Sequence, residues 1–273
     1  MKRSSGIRLC VTVAVGALSL SLITACSDGG SDNAKDSAKD SAKSSTTGSA
    51  KGTAKALTAA ELKKLIIAQG DAAGYKVAAV AKTYPAGKSA IKADEKCKPL
   101  LYVMSGLAPG DAVAYTNRTA TEEKKPSDAA SKSLEDMTDS DIEKTLTDSM
   151  TVNVTVVALS SYDGDGAEKA VKSVSDAVSG CAGGFASAAG GDEQKFTKVT
   201  AEKGSGTGDE SVAFAANGEM DDTDGQTSTV HAEVVRHGNT VATYYTMNIG
   251  AMMAGKDYTV PAAVITAQSA KLK

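Results

Sequence analysis

Carboxylates and histidines are the residues of this chain whose types fit catalysis or metal binding. Glu233 lies between the two histidines, His231 and His237, in a segment with strand-like alternation. Six residues of strand span about 20 Å, which is too far for the two imidazoles to share an ion. We therefore interpret both histidines as solvated strand residues rather than as a metal site or a base for a nearby serine. The sequence predicts no metal site and no cofactor.

Two acidic pairs, Asp209-Glu210 and Asp221-Asp222, are the other candidates for chemistry. Paired carboxylates can act as the acid and base of a hydrolase, but a solvated acidic loop explains the same density of charge. The chain contains neither a Gly-x-Ser-x-Gly elbow nor a His-Glu-x-x-His helix. We expect no catalytic residues, and we keep an envelope hydrolase with an acidic active site as the alternative.

Tyrosines and methionines cluster near the C-terminus and offer a different chemistry. A soft apolar ligand pocket is one interpretation of these residues, because methionine adapts its shape to irregular surfaces. Ordinary core packing is the other interpretation. The candidate pocket residues are Tyr244, Tyr245, Met247, Met252 and Met253.

The N-terminal segment has the layout of a secretory signal, with Lys2, Arg3 and Arg8 before an apolar run that ends at Ala25. The run is at or below the roughly 20 residues that a membrane-spanning helix needs. Its last residues, Ile23-Thr24-Ala25-Cys26, resemble the lipobox of bacterial lipoproteins. The resemblance implies cleavage after residue 25 and acylation of Cys26, the lipidation site. The mature protein would then be held on the extracytoplasmic face of the cell membrane by its lipid.

Charge limits the partners of the mature chain. Removing residues 1–25 takes away three positive charges, so the formal net charge falls from −3 to −6, with 27 Lys and Arg against 33 Asp and Glu. No basic block remains, and we expect no nucleic-acid partner. The expected partners are the membrane, through the lipid at Cys26, and a small apolar or cell-wall ligand or an envelope protein.

Of the four cysteines, only Cys97 and Cys181 remain for the folded part of the mature chain. Two leftover cysteines outside the cytoplasm are best interpreted as one disulfide. A free or metal-bound pair is the alternative. Because each cysteine lies beside a predicted helix, the disulfide would connect two helical segments.

Residues 26–56 form a tether in this interpretation. They contain no apolar residue larger than alanine, and "AKDSAKDSAKSS" repeats a four-residue unit. Such a composition cannot bury enough apolar surface to offset the entropy of folding. A flexible coil of this length spans on the order of 30 Å, enough to hold a domain away from a lipid surface.

Residues 57–273 are predicted to form an α+β domain with a largely antiparallel sheet packed against a few helices. Because helix followed by strands occurs twice, the domain is either one unit or two related halves. Thr58 and Glu61 form a predicted capping box, and Gly238-Asn239 is a hairpin signal. Helices are predicted within 58–69, from 97, at 167–179 and at 261–272, and strands at 74–82, 111–118, 151–162, 196–202, 211–216, 227–236 and 240–249; residues 119–149 are predicted to be a loop or an exposed helix.

Several stretches resemble a known group of proteins. They are "LTAAELKKLIIAQGDAAGYKV", "CKPLLYVMSG", "VALSSYDGDGAEKAVKSVSDAVSGCAGGF", "DESVAF", "VVRHGNTVATYYTMN" and "VPAAVITAQSAKLK". In this order they resemble actinobacterial (Streptomyces-type) lipoproteins of unassigned function and, more distantly, the extracellular sensor domains of PknH-type Ser/Thr kinases. The resemblance implies an extracytoplasmic α+β domain with a disulfide and a ligand-binding cleft. The sequence thus favours a membrane-anchored ligand-binding or sensing module of the cell envelope.

Overall fold

The computed structural model describes residues 55–124, 136–189, 192–219 and 227–273. The predicted signal peptide, most of the tether and Cys26 lie outside these residues. The helices are α1 Ala59–Leu65, α2 Lys98–Met104, α3 Asp139–Met150, α4 Gly166–Gly180, α5 Ile249–Met253 and α6 Ala262–Ala270. The strands are β1 Tyr75–Ala78, β2 Ile91–Ala93, β3 Ala114–Glu122, β4 Val154–Ser161, β5 Phe185–Ala189, β6 Asp192–Glu202, β7 Glu210–Glu219, β8 Thr227–His237 and β9 Thr240–Met247.

These nine strands form one antiparallel sheet in the order β1-β3-β4-β9-β8-β7-β6-β5-β2. The predicted α+β class with a largely antiparallel sheet is confirmed. The sheet is continuous, so a boundary between two related halves does not divide it. Within the described residues, no helix has both the length and the hydropathy needed to cross a membrane.

The β8–β9 hairpin shows how the sheet acquires its faces. His237 pairs with Thr240 around Gly238, whose φ of +61° lies in the left-handed region that glycine favours. Ala232 pairs with Tyr245 on one face, as the alternation predicts, and this face is buried. The opposite face is buried as well, because Tyr244 is fully inaccessible. Alternation therefore identifies the residues that share a face, while the helices that pack on the sheet decide whether that face is buried.

Two helices cover each face. We call the face under α2 and α4 the disulfide face; its core includes Val171, Val174, Phe214 and Val234. The other face, which we call the opposite face, carries α1 and α6 and a second core that includes Leu62 and Val264. One side of α4, which includes Ala170 and Val178, is buried in the core of the disulfide face. In α6, Val264, Ile265, Gln268 and Ser269 are buried, whereas Ala262 is exposed.

Helix α1 begins as predicted and ends early. The Thr58 hydroxyl accepts from the Glu61 N–H while the Glu61 carboxylate accepts from the Thr58 N–H, which confirms the capping box. The predicted helix continues toward Gln69, but the observed helix ends at Leu65. There the side chain of Gln268 donates to the Leu65 carbonyl and accepts from the Ile67 N–H, both at 2.9 Å. A tertiary contact with α6 thus replaces the next turn of helix.

The two cysteines are paired across the disulfide face. Cys97 caps the N-terminus of α2 and Cys181 caps the C-terminus of α4, and their sulfur atoms lie 2.01 Å apart. Both residues are buried in the same core. The bond therefore links the two helices that cover this face of the sheet.

Two strands, β2 and β5, form where no strand was predicted. Strand β5 has the sequence "FASAA", and small residues with neighbouring glycines resemble a loop when the segment is considered alone. Its Phe185 pairs with Phe196 of β6, so the strand exists because a long partner strand is available. Between 119 and 149, the described residues extend β3 to Glu122 and form the exposed helix α3, whose capping box joins Thr138 and Asp141.

Candidate functional site

An open cleft of about 520 Å³ lies on the disulfide face, between α2, the loop after β1 and the strands of the sheet. It contains two residues of the predicted pocket, Tyr245 and Met247. The lining residues are Thr83, Tyr84, Pro85, Leu101, Met104, Ser105, Ser187, Glu193, Gln194, Phe196, Tyr245 and Met247.

Strand β9 supplies one wall of the cleft. Tyr245 and Met247 are two residues apart, so both side chains leave the same face of the strand. Across β8, the residue opposite Tyr245 is Ala232, whose small side chain leaves room beside the tyrosine ring. A methionine and a tyrosine on a rigid central strand form an apolar wall with one polar tip.

Strands β5 and β6 supply the other wall. The rings of Phe185 and Phe196 pack with their centroids 4.9 Å apart and fix this end of the sheet. Strands β8 and β7 lie between β9 and β6 in the sheet order, so the two walls are separated by three strand spacings, about 14 Å. The cleft is therefore long enough for an apolar group larger than a single aromatic ring.

Two tyrosine residues of this cleft, Tyr84 and Tyr245, have hydroxyls without a partner among the described residues. Burial raises the pKa of both Tyr84 and Tyr245, and their proximity contributes to the shift of Tyr245. Both phenols are neutral at physiological pH. Among the described residues, none forms a hydrogen bond with either hydroxyl. These groups are available to a bound molecule.

The predicted pocket residues lie in different places. Tyr245 and Met247 line the cleft, and Met252 is half-buried against the core of the same face. Tyr244 lies on the opposite face because it precedes Tyr245 by one residue, and burial raises its pKa. Met253 is 61% exposed on α5 and lies outside the cleft.

Most of the lining residues were not predicted from the sequence. Tyr84 and Pro85 come from a connecting loop, and Met104 comes from the end of α2. Ser187 and Gln194 belong to β5 and β6, which pair with one another. A sequence signal for Ser187 and Gln194 is the pair of aromatic residues Phe185 and Phe196 on either side of them.

The interpretation of His231 as solvated is wrong. This residue is 8% exposed, its Nδ1 lies 3.0 Å from Glu202 Oε2, and its ring packs edge-on against Tyr258 with centroids 4.7 Å apart. Glu233 is also buried and accepts from the N–H and the hydroxyl of Ser205 at 2.7 and 2.6 Å. Chain segments distant in sequence cover this side of β8. These polar residues hold neighbouring strands and loops together.

The carboxylates of Asp209 and Glu210 accept hydrogen bonds from the end of strand β8 and the turn that follows it. Arg236 donates to Asp209 at 3.2 Å and to Glu210 at 3.4 Å, and the Gly238 N–H donates to Asp209 at 2.7 Å. Asp221 and Asp222 lie outside the described residues. Within the described part of the chain, no group of three or more His, Cys, Asp or Glu residues is arranged to hold a metal ion.

Comparisons with known proteins find similarity among solved structures. No family model matches the chain, and no curated protein matches it. Among solved structures, the chain is similar to the extracellular domain of PknH from Mycobacterium tuberculosis, with a TM-score of 0.44, 10% sequence identity and coverage of 80% of this chain and 95% of that chain. At this TM-score the similarity does not bear on the function of the chain.

Proposed function

We propose that this protein is a lipoprotein anchored through Cys26 to the extracytoplasmic face of the cell membrane, where its folded domain binds an apolar ligand as a carrier or sensor of the envelope. The cleft is the observation that carries the ligand-binding part of this proposal. It combines an apolar wall on β9 with tyrosine hydroxyls that have no partner among the described residues. Concave, mostly apolar sites with a few polar groups are typical of small-molecule binding.

The position of the cleft supports a tethered binding domain. The carbonyl of Lys55, where the tether joins the domain, accepts from the side chain of Asn239 at 2.5 Å. Strand β9 begins at the next residue, Thr240, and runs about 23 Å to Met247. The Met247 end of the cleft thus lies at the end of the sheet away from Lys55, the point at which the tether would attach.

Among the described residues, no contact favours the hydrolase alternative. The carboxylates of Asp209 and Glu210 are both engaged by Arg236, an arrangement suited to holding the end of the β8–β9 hairpin. We therefore propose a binding protein and not an enzyme.

A matched pair of methionine substitutions tests whether the cleft binds apolar molecules. The chain from Ser27 onward, which retains every residue of the described core, would be titrated with the neutral fluorescent probe N-phenyl-1-naphthylamine. Met247→Gln should weaken binding about fivefold, because a polar amide replaces an apolar wall of the cleft. Met253→Gln, the same change at a site outside the cleft, should leave the affinity unchanged.

Equal affinities in the two variants, with urea midpoints matching the unmodified chain, would show that the probe does not bind in the cleft.

The lipid anchor is tested separately. Cys26→Ser should abolish incorporation of labelled palmitate in the bacterial host and release the protein from the membrane fraction. Continued membrane association without the label would contradict lipidation at this residue.

A further inference from the structure

The chemical class of the ligand follows from the side chains that point into the cleft. Among the described lining residues, Glu193 is the one with a charged side chain. It alternates with Gln194, which shares the disulfide face with Phe196, so the Glu193 carboxylate is directed to the opposite face of the sheet. The groups that line the cleft on the disulfide face are uncharged.

Gln194 is held in a fixed orientation. Its Nε2 donates to the carbonyl of Glu219 at 2.7 Å and lies near the carbonyl of Lys195 at 3.4 Å. The side chain crosses over Gly218, where an added Cβ would lie 3.0 Å from that nitrogen. Contacts with β6 and β7 thus hold the Gln194 amide in one orientation, in which its nitrogen donates to a carbonyl of β7.

The oxygen of the same amide has no hydrogen bond to the described part of the chain. None of the described residues donates to Gln194 Oε1. A carboxamide with its nitrogen engaged presents an acceptor and no free strong donor. The hydroxyls of Tyr84 and Tyr245 complete a set of neutral hydrogen-bonding groups in the cleft.

We infer that the ligand is an uncharged molecule with an apolar body and a hydroxyl or amide N–H that donates to Gln194 Oε1; this inference rests on the proposed binding function. An ion entering the cleft would lose hydration and find no opposite charge within it, which is unfavourable. A neutral hydroxyl or amide N–H would exchange its hydrogen bond to water for one to Gln194 Oε1. We therefore expect a neutral amphiphile to bind more tightly than an anion or a cation of the same size.

A series of naphthalene derivatives with the same ring separates these cases. 2-Naphthylmethanol, 2-naphthoate and 2-naphthylmethylammonium would compete with N-phenyl-1-naphthylamine for the chain from Ser27 onward. The alcohol should displace the probe at a concentration at least about tenfold lower than either ion. An ion that competes as well as the alcohol, while the probe keeps its dependence on Met247, would overturn the inference and leave the binding function intact.

Substitution of the acceptor gives a second test. Gln194→Met preserves the length of the side chain and removes its oxygen. The affinity for 2-naphthylmethanol should fall about fivefold, the size of one net hydrogen bond, while the affinity for 2-methylnaphthalene should stay the same. Equal losses for both compounds would refute the assigned role of Gln194. Loss of the Met247 dependence would instead refute the proposed function itself.

Discussion

Removal of the Cys97–Cys181 disulfide should cost at least about a third of the stability of the domain. The bond closes a loop with a sequence separation of 84, for which the loop-entropy relation predicts about 4.6 kcal/mol at 25 °C. Typical domains have unfolding free energies of about 5–15 kcal/mol. We therefore expect the double variant Cys97→Ala/Cys181→Ala to be marginally folded or unfolded at 37 °C.

Equilibrium urea unfolding measures this loss. Three samples are compared: the oxidised chain, the same chain after reduction, and the double alanine variant. The reduced chain isolates the cross-link, because its sulfur atoms still fill the core between α2 and α4. The variant adds the loss of two buried side chains and should be less stable than the reduced chain. A loss below about 1 kcal/mol on reduction would refute the loop-entropy argument for this domain.

Three further predictions concern local features. Thr58→Ala removes the first half of the α1 capping box and should lower the free energy of unfolding by about 1 kcal/mol, whereas an unchanged urea midpoint would show that tertiary contacts alone fix this helix end. Burial lowers the pKa of His237 in the folded protein. Its contribution to stability is therefore complete above the unfolded pKa of about 6.5 and declines as the pH falls through the folded pKa. His237→Gln should flatten this part of the pH–stability curve, and an unaltered curve would contradict the assignment. Leu146→Ser, at a side chain 58% exposed on α3, should change stability by less than about 0.5 kcal/mol, while Leu159→Ala in the core should cost about 2–5 kcal/mol. Equal thermal shifts for these two variants would contradict the burial pattern.

Local patterns in the chain predict much of the secondary structure. The β-branched alternation of β4, the glycine turn between β8 and β9, and the capping box of α1 each depend on residues that are close in sequence. These features can therefore be predicted before the tertiary structure is known. Strand β5 shows the limit of this approach, because "FASAA" has weak strand preference and pairs only when β6 lies beside it.

The candidate site was predicted in part for the same reason. Tyr245 and Met247 belong to a recognisable strand, and their two-residue spacing places them on one face. Their partners Tyr84 and Gln194 are more than 50 residues away along the chain and belong to a loop and a distant strand. No periodicity connects these segments, so their meeting in one cleft depends on strand order.

The sequence by itself favoured the pairing of Cys97 with Cys181 and determined the cap of α1 and the residues that share each face of a strand. These features arise from local backbone preferences, from side-chain period and from the number of available cysteines. Only the tertiary structure decided that both faces of the sheet are covered, that His231 is buried, and that Tyr84 and Gln194 line the same cleft as Tyr245. Such outcomes depend on which distant segments pack together, and the free energy of that packing belongs to the whole domain and not to any single segment.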